Sequence, residues 1–240
     1  MKILCVIPAR YASTRLPGKP LADIVGKPMI QHVYERSAQA TIPQQVVVAT
    51  DDEKVFQAVQ QFGGKVVMTS SEHQTGTDRL AEVASKYAEV DVIINVQGDE
   101  PLIDPKVIDE LAQEFLNDTA LQMASVMSIM DTEDYQNPNA VKVVTDLNNN
   151  ALYFSRSLLP YPRVAGKANV YKHIGIYAYK KDFLLKFAKL EPTPLEQSES
   201  LEQLRALENG YKIKMIKTKA KFIGVDSIED LQTVNELLRK

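Results

Sequence analysis

The chain carries a single cysteine, Cys5, and it lies inside the first apolar run, so no intramolecular disulfide can form. Packing in a cytoplasmic protein is the expected role of that thiol. Long apolar runs are also missing. No segment approaches the ~18 residues of a membrane-spanning helix, and residues 3–9 are too short for the core of a secretion signal and run straight into Arg10. There is no basic excess either: 28 Lys and Arg against 31 Asp and Glu leave a net charge of −3, which argues against a general nucleic-acid binder. Any anion binding must therefore be local. Two common phosphate signatures are absent. Lys19 is followed by Pro20 and not by Ser or Thr, which excludes a P-loop, and Gly18 is the lone glycine of the first loop, which excludes a dinucleotide fingerprint.

What is present is an ordinary globular composition, 45% hydrophobic and 25% charged over 240 residues, enough for one substantial α/β domain. Apolar runs at 2–9, 46–49, 65–68 and 92–96 read as strands. Helix-period segments at 29–40, 53–62, 79–86 and from Asp104-Pro105 to about residue 117 alternate with them. That alternation predicts βαβ units and a mostly parallel central sheet flanked by helices. Beyond Leu121 the pattern changes: runs at 123–129, 141–145, 152–154 and 173–179 predict strands that partly pair antiparallel, as an insertion or smaller antiparallel region. Asn148-Asn149-Asn150 marks a turn. Helices at 182–189, 195–209 and 228–238 and a strand at 212–217 complete the expected elements.

The loop after the first strand, IPARYASTRLPGKP, sets Arg10, Arg15 and Lys19 together with no acid among them. A solvated basic turn would explain the cations, but Pro17, Gly18 and Pro20 stiffen the chain around Lys19, which solvation does not need. In open α/β sheets ligands bind beyond the carboxyl ends of strands, so this loop is a candidate anion site. At the same expected edge follow Gln97-Gly98-Asp99-Glu100-Pro101, whose acids suit a divalent cation or merely an exposed turn, and Asp226. Asp226 with Glu229 three residues on also outlines a helix-capping box. In EHQTGTDR, Thr75 or Thr77 is a natural N-cap, and Arg79 sits in a first helical turn, where a cation calls for an anionic or hydrogen-bonded partner such as Asp78. Strand alternation puts His173 and Tyr177 on one face and Ile174 and Ile176 on the other. Arg156 has the fork suited to a carboxylate. Glu202 and Gln203 lie off the stripe of Leu201, Leu204 and Leu207, where solvation explains them.

Together the segments IPARYASTRLPGKPL, VVVATDD, HQTGTDR, NVQGDEP, YFSR, HIGIYAY, LEQLR and GVDS resemble the CMP-Kdo synthetase family, the 3-deoxy-manno-octulosonate (Kdo) cytidylyltransferases, from Ile3 to about Leu231. The resemblance implies a Rossmann-like nucleotide-sugar-transferase fold and a Mg²⁺-dependent cytoplasmic homodimer that joins CTP to an acidic sugar. Nucleotide contacts would fall on Pro8, Ala9, Arg10, Ser13, Arg15, Lys19, Arg79 and Gln97. Metal carboxylates would be Asp99 and Asp226, and sugar contacts Arg156, His173, Tyr177, Glu202 and Gln203. Arg15, Lys19, Asp99 and Asp226 would carry the catalysis. Residues 1–120 would form the nucleotide half, 121–215 the sugar-binding and dimerising insertion, and 216–240 the closing metal loop and helix. Asp226-Ser227-Ile228 departs from the family's Asp-Thr-Pro, which touches the rigidity of that loop more than its carboxylate. The alternatives are an 8-amino-Kdo or sialic acid cytidylyltransferase, a nucleotide-sensing module without turnover, and a glycosyltransferase of similar architecture. The GDEP acids favour the Kdo branch over sialic acid, and the pair Asp99 and Asp226 argues for turnover.

Overall fold

The computed structural model describes residues 1–12, 16–164 and 166–239. Its first strand, β1 (Ile3–Ala9), is apolar on both sides: Ile3, Cys5, Ile7 and Ala9 enter one packing layer, Leu4 and Val6 the other. Such two-sided burial belongs to a strand in the middle of a helix-covered sheet. The chain continues through a small hairpin, β2 (Asp23–Ile24) and β3 (Lys27–Pro28), and α1 (Met29–Ser37). It then alternates β4 (Gln45–Thr50), α2 (Glu53–Gln61), β5 (Val66–Met68), α3 (Gly76–Lys86), β6 (Val92–Asn95) and α4 (Pro105–Asn117). The second half contains β7 (Met123–Ile129), β8 (Lys142–Thr145), β9 (Ala151–Ser155), β10 (Tyr171–Lys180) and α5 (Lys181–Phe187). It closes with α6 (Pro194–Glu199), α7 (Gln203–Glu208), β11 (Lys214–Thr218) and α8 (Ile228–Leu238).

Among the described residues one nine-stranded sheet runs β11-β7-β10-β6-β1-β4-β5, with β8 joined to β10 and β9 to β8. β1 pairs parallel with β4 and β6, β5 with β4, and β11 with β7; β10 lies antiparallel between β6 and β7. The expected mostly parallel sheet is therefore present, and its antiparallel part continues it. Because β10 reverses against both neighbours, β1, β6, β7 and β11 all end on one edge, where their loops can meet. Helices α1, α2 and α4 cover one face and α3, α5 and α7 the other. Helix α8 packs with the β2–β3 hairpin around Ile24, Met29, Val225 and Val234, which returns the end of the chain to the first loop.

The turn at residues 148–150 forms as expected. Asp146 Oδ1 accepts the amides of Asn148 and Asn150, and Asn149 takes φ 59°. Residues 149–151 then lie on the start of β11, through Met215 N to Asn149 O at 2.7 Å and Ala151 N to Ile213 O at 2.8 Å. One expectation fails: the helix over 195–209 is two helices, broken where Ser200 adopts φ 52°. The fold-back lets Arg205 Nε reach Glu196 Oε2 at 2.8 Å, a buried pair that one straight helix would hold on different faces. Leu201 and Leu204, both just after the break, are buried at helical spacing, which hid it.

Candidate active site

Three loops build the site at the strand-end edge. After β1, Gly18 takes the left-handed φ of 69° that glycine tolerates, its amide donates to Tyr11 O at 3.3 Å, and a single turn follows from Lys19 to Leu21 with Pro20 as its second residue. After β6, a Cβ on Gly98 would lie 2.5 Å from the carbonyl oxygen of Pro8, so only glycine lets this loop lie on the end of β1. After β11, Val225 N donates to Asp99 O at 2.9 Å and fastens the third loop to the second. The result is a single ammonium between two carboxylates: Lys19 Nζ stands 2.6 Å from Asp99 Oδ2 and 3.0 Å from Asp226 Oδ1. Burial pulls the Lys19 ammonium down, but the charges and hydrogen bonds of the two aspartates outweigh it and hold the group above its usual value.

Beside this cluster opens a cleft of about 390 Å³ whose wall includes Pro8, Ala9, Arg10, Arg79, Gln97 and Gly98 as well as Lys19, Asp99 and Asp226. Ser13 and Arg15 lie outside the described residues. The Arg10 guanidinium donates to the carbonyls of His73 and, at 3.4 Å, Gln74. That loop is itself pinned by His73 Nε2 at 2.5 Å from Glu82 Oε2. Burial pushes Glu82 up, yet hydrogen bonds from Lys86, the Ser70 amide and His73 win and hold it at about 2.

Two local expectations are corrected. The anionic partner of Arg79 is Asp51, with Nη2 to Oδ2 at 2.6 Å, and Thr69 Oγ1 accepts from Nη1. Asp78 is committed to the capping box of Thr75. Arg79 is fully buried, so it forms wall. The box at the last helix is Ser227 with Asp230 rather than Asp226 with Glu229, and the Asp226 carboxylate turns to Lys19 instead. Of the adjacent acids, only Asp99 pairs with Lys19. Burial, and then the charge of Asp99, pushes Glu100 up to about 8.

On the other face of the sheet, β10 bulges between Ile174 and Tyr177 opposite β7. Two extra residues fit there, an even number, so His173 and Tyr177 stay on one face, with ring centroids 5.3 Å apart. The bulge also presents Gly175 O to Gln97 Nε2 at 2.8 Å. Burial takes His173 down to about 3, and its Nε2 meets Ser125 Oγ at 2.9 Å. Burial, followed by the charge of Glu202, pushes the Tyr177 phenol up. Glu202 accepts from Thr77 Oγ1 at the start of α3, and Gln203 is 5% exposed. Both are turned inward, against the expectation of solvated positions. Arg156 is held by carbonyls: Nε to Glu199 O at 2.7 Å, Nη1 to Pro138 O at 3.0 Å and Nη2 to Ser200 O at 3.2 Å. Among the described residues the 390 Å³ cleft does not include Arg156, His173, Tyr177, Glu202 or Gln203; Gln97, in its wall, bonds Gly175 between His173 and Tyr177, and Glu202 bonds Thr77, next to the cleft-lining Gly76.

Sequence reasoning missed Asp51, Thr69 and Glu199, and gave Thr77 only a capping role. One signal was available: in Asp51-Asp52 a single acid suffices to cap α2, and Asp52 does so through the Lys54 amide at 2.8 Å, leaving Asp51 for another partner.

A helix-covered parallel sheet with a cationic loop and two carboxylates at its strand-end edge has the build of a nucleotidyltransferase. The family model described as cytidylyltransferase matches residues 4–215. The 3-deoxy-manno-octulosonate cytidylyltransferase of Geobacter metallireducens is 54% identical over 252 residues, with 100% of this chain and 99% of the relative covered. That of Geobacter sulfurreducens is 54% identical over 251 residues, with 100% of both covered. The solved structure of a CMP:2-keto-3-deoxy-manno-octonic acid synthetase complexed with CTP superposes with a TM-score of 0.96 at 50% identity, covering 100% of this chain and 99% of that one. The chain belongs to the cytidylyltransferase family, and within it to the 3-deoxy-manno-octulosonate cytidylyltransferases.

Proposed function

We propose that the chain makes CMP-Kdo from CTP and Kdo. The anomeric hydroxyl attacks the α-phosphorus in line, a new P–O bond forms, the bond to the β-phosphate breaks, and pyrophosphate leaves. The observation that carries this reading is Lys19 held between Asp99 and Asp226 at the mouth of a nucleotide-sized cleft. Phosphoryl chemistry of this kind asks a protein mainly for positioning and charge neutralisation. Lys19 and Arg15 meet charge on the leaving group. Arg10, Pro8, Ala9, Ser13 and Gln97 orient the nucleotide, and Arg79, locked by Asp51, keeps that wall rigid.

Asp99 and Asp226 suit Mg²⁺. Their side chains are 30% and 47% exposed and converge on one point already holding a cation. Among the described residues no cluster of three or more acidic, His or Cys ligands competes with them. Mg²⁺ commonly takes one or two carboxylates and fills its remaining positions with water and substrate phosphate. When bound, the ion neutralises phosphate charge and lowers the pKa of a hydroxyl near it.

The sugar is read by Arg156, His173, Tyr177, Glu202 and Gln203 on the α3 and α7 side of the sheet. In this reading residues 1–120 handle the nucleotide, 121–215 the sugar and pairing of chains, and 216–240 close the metal loop. The enzyme works as a cytoplasmic homodimer; no helix among the described residues is long and apolar enough to cross a membrane.

The test is pyrophosphate release with Mg²⁺, CTP and, in separate reactions, Kdo, 8-amino-Kdo and sialic acid. Release with Kdo is expected. Release with one of the other sugars alone transfers the reading to that sugar, and silence with all three overturns it.

A further inference from the structure

The register of the sheet draws a single row of side chains across six strands: Val47, Val6, Asn95, Tyr177, Ser125 and Met215. Val47, Val6 and Met215 are buried in the layer beneath α3 and α7, and Tyr177 packs against it. Asn95 stands among them as the last residue of a strand that is otherwise Val-Ile-Ile, is 5% exposed, and its carboxamide Oδ1 has no hydrogen-bond partner among the described residues. Ser125, the other small polar member of the row, is satisfied by His173 and the carbonyl oxygens of Ile174 and Ile176. A valine at position 95 would fill the row without burying an unpaired amide oxygen, so the asparagine costs the fold something that packing does not return.

Its place says what returns it. Asn95 ends β6 two positions before Gln97, which lines the nucleotide cleft. Its direct neighbour across the strands is Tyr177, which in turn lies within the field of Glu202. Among the described residues other buried polar atoms on this side also lack a hydrogen-bond partner: Arg79 Nε, Gln203 Nε2 and Glu202 Oε1, the last with only an ion-pair contact to Arg205 Nη2 at 3.8 Å. A ligand with many hydroxyls, each able to donate and to accept, satisfies such a mixed set of donors and acceptors.

We propose that Asn95 is a further specificity-determining residue of the sugar site, its carboxamide accepting a hydrogen bond from a hydroxyl of the bound sugar acid. The proposal rests on the sugar-activating reading above. It is tested with Asn95→Val, which removes the amide and leaves a slightly smaller, β-branched apolar side chain. The expected result is a sugar KM raised roughly tenfold, the value of one lost hydrogen bond, with the CTP KM within about twofold of wild type and the melting temperature unchanged or raised. A panel of sugars each lacking one hydroxyl supplies a second measurement on the wild-type enzyme alone. One deoxy-sugar should show the same loss with wild type and no additional loss with the variant.

A sugar KM unchanged in Asn95→Val overturns the proposal. So does a fall in melting temperature with both KM values raised together, since that marks a packing or water-binding role. If the variant does not fold, the proposal stands or falls on whether a single deoxygenation costs the wild-type enzyme that tenfold. Wild-type turnover with Kdo is established first: its absence sinks the sugar-activating reading, whereas its presence with an indifferent Asn95→Val sinks this inference alone.

Discussion

The amide of Val225 donates to the carbonyl of Asp99 across 2.9 Å, and this bond sets the last loop of the chain against the loop after β6. Through it Asp226 comes within 3.0 Å of the ammonium that Asp99 already holds. The two carboxylates are thus registered by backbone, and a change of side chain should leave their spacing intact.

Asp99→Asn is therefore expected to keep the melting temperature close to wild type while pyrophosphate release falls about 10²- to 10³-fold, the usual scale for one preorganised charge contact. Near-normal release in saturating Mg²⁺ would remove Asp99 from the metal site.

Gly98→Ala places a methyl group 2.5 Å from the Pro8 carbonyl, backbone that cannot rotate away. The loop carrying Asp99 must shift. The expected cost is about 1–3 kcal/mol of stability and on the order of a hundredfold in turnover; an active, unshifted variant would show that the loop has room to give.

Asp51→Ala leaves the fully buried Arg79 without its carboxylate. Stranding a buried charge costs about 3–5 kcal/mol, and at this chain length each kcal/mol is roughly 2–4 °C of melting temperature. A thermal melt within about 2 °C of wild type would mean that Thr69 and the cleft are enough for the guanidinium.

His173 titrates at about 3 in the fold against an ordinary value of 6.5. Above pH 6.5 both folded and unfolded chains carry it neutral and it costs nothing. As pH falls from 6.5 toward 3 the unfolded chain takes up a proton that the folded chain refuses, so stability is lost across that window. His173→Gln should flatten this acid limb. Parallel melting curves of the two proteins from pH 7 to 3.5 would show that the ring is protonated in the fold.

Arg156→Lys gives up the fork that reaches three carbonyls. About 1–3 kcal/mol of stability is expected to go with it, together with a raised KM for the sugar and an unchanged KM for CTP. A variant that melts normally would show those carbonyls to be satisfied elsewhere.

The positions of Lys19, Asp99 and Asp226 were legible in the sequence because each follows an apolar run, and parallel strands place such loops on one edge whatever the details of packing. His173 and Tyr177 were legible for a subtler reason: a bulge of two residues preserves the alternation that one residue would have reversed. Partners separated widely along the chain were not legible. Nothing near Arg79 announces Asp51, and Asp78, the local candidate, is taken by the amide and hydroxyl of Thr75, the cap of its own helix. The break at Ser200 escaped because a left-handed serine has no composition signal and Leu201, Leu204 and Leu207 after it keep helical spacing. Glu202 and Gln203, sugar contacts by the resemblance, read locally as solvated on the strength of that same unbroken helix.

The outermost strand on the β7 side, β11, has its first residues covered by Asn149 and Ala151, and lysines recur at 212, 214, 217, 219 and 221 through and beyond it. A second copy docking there edge to edge would align ammonium with ammonium on a ladder already half occupied. The margin of the sheet is thereby closed to self-templating, and concentrated preparations of this protein should resist fibre growth from that side at low salt, losing some of that protection as added electrolyte screens the repulsion.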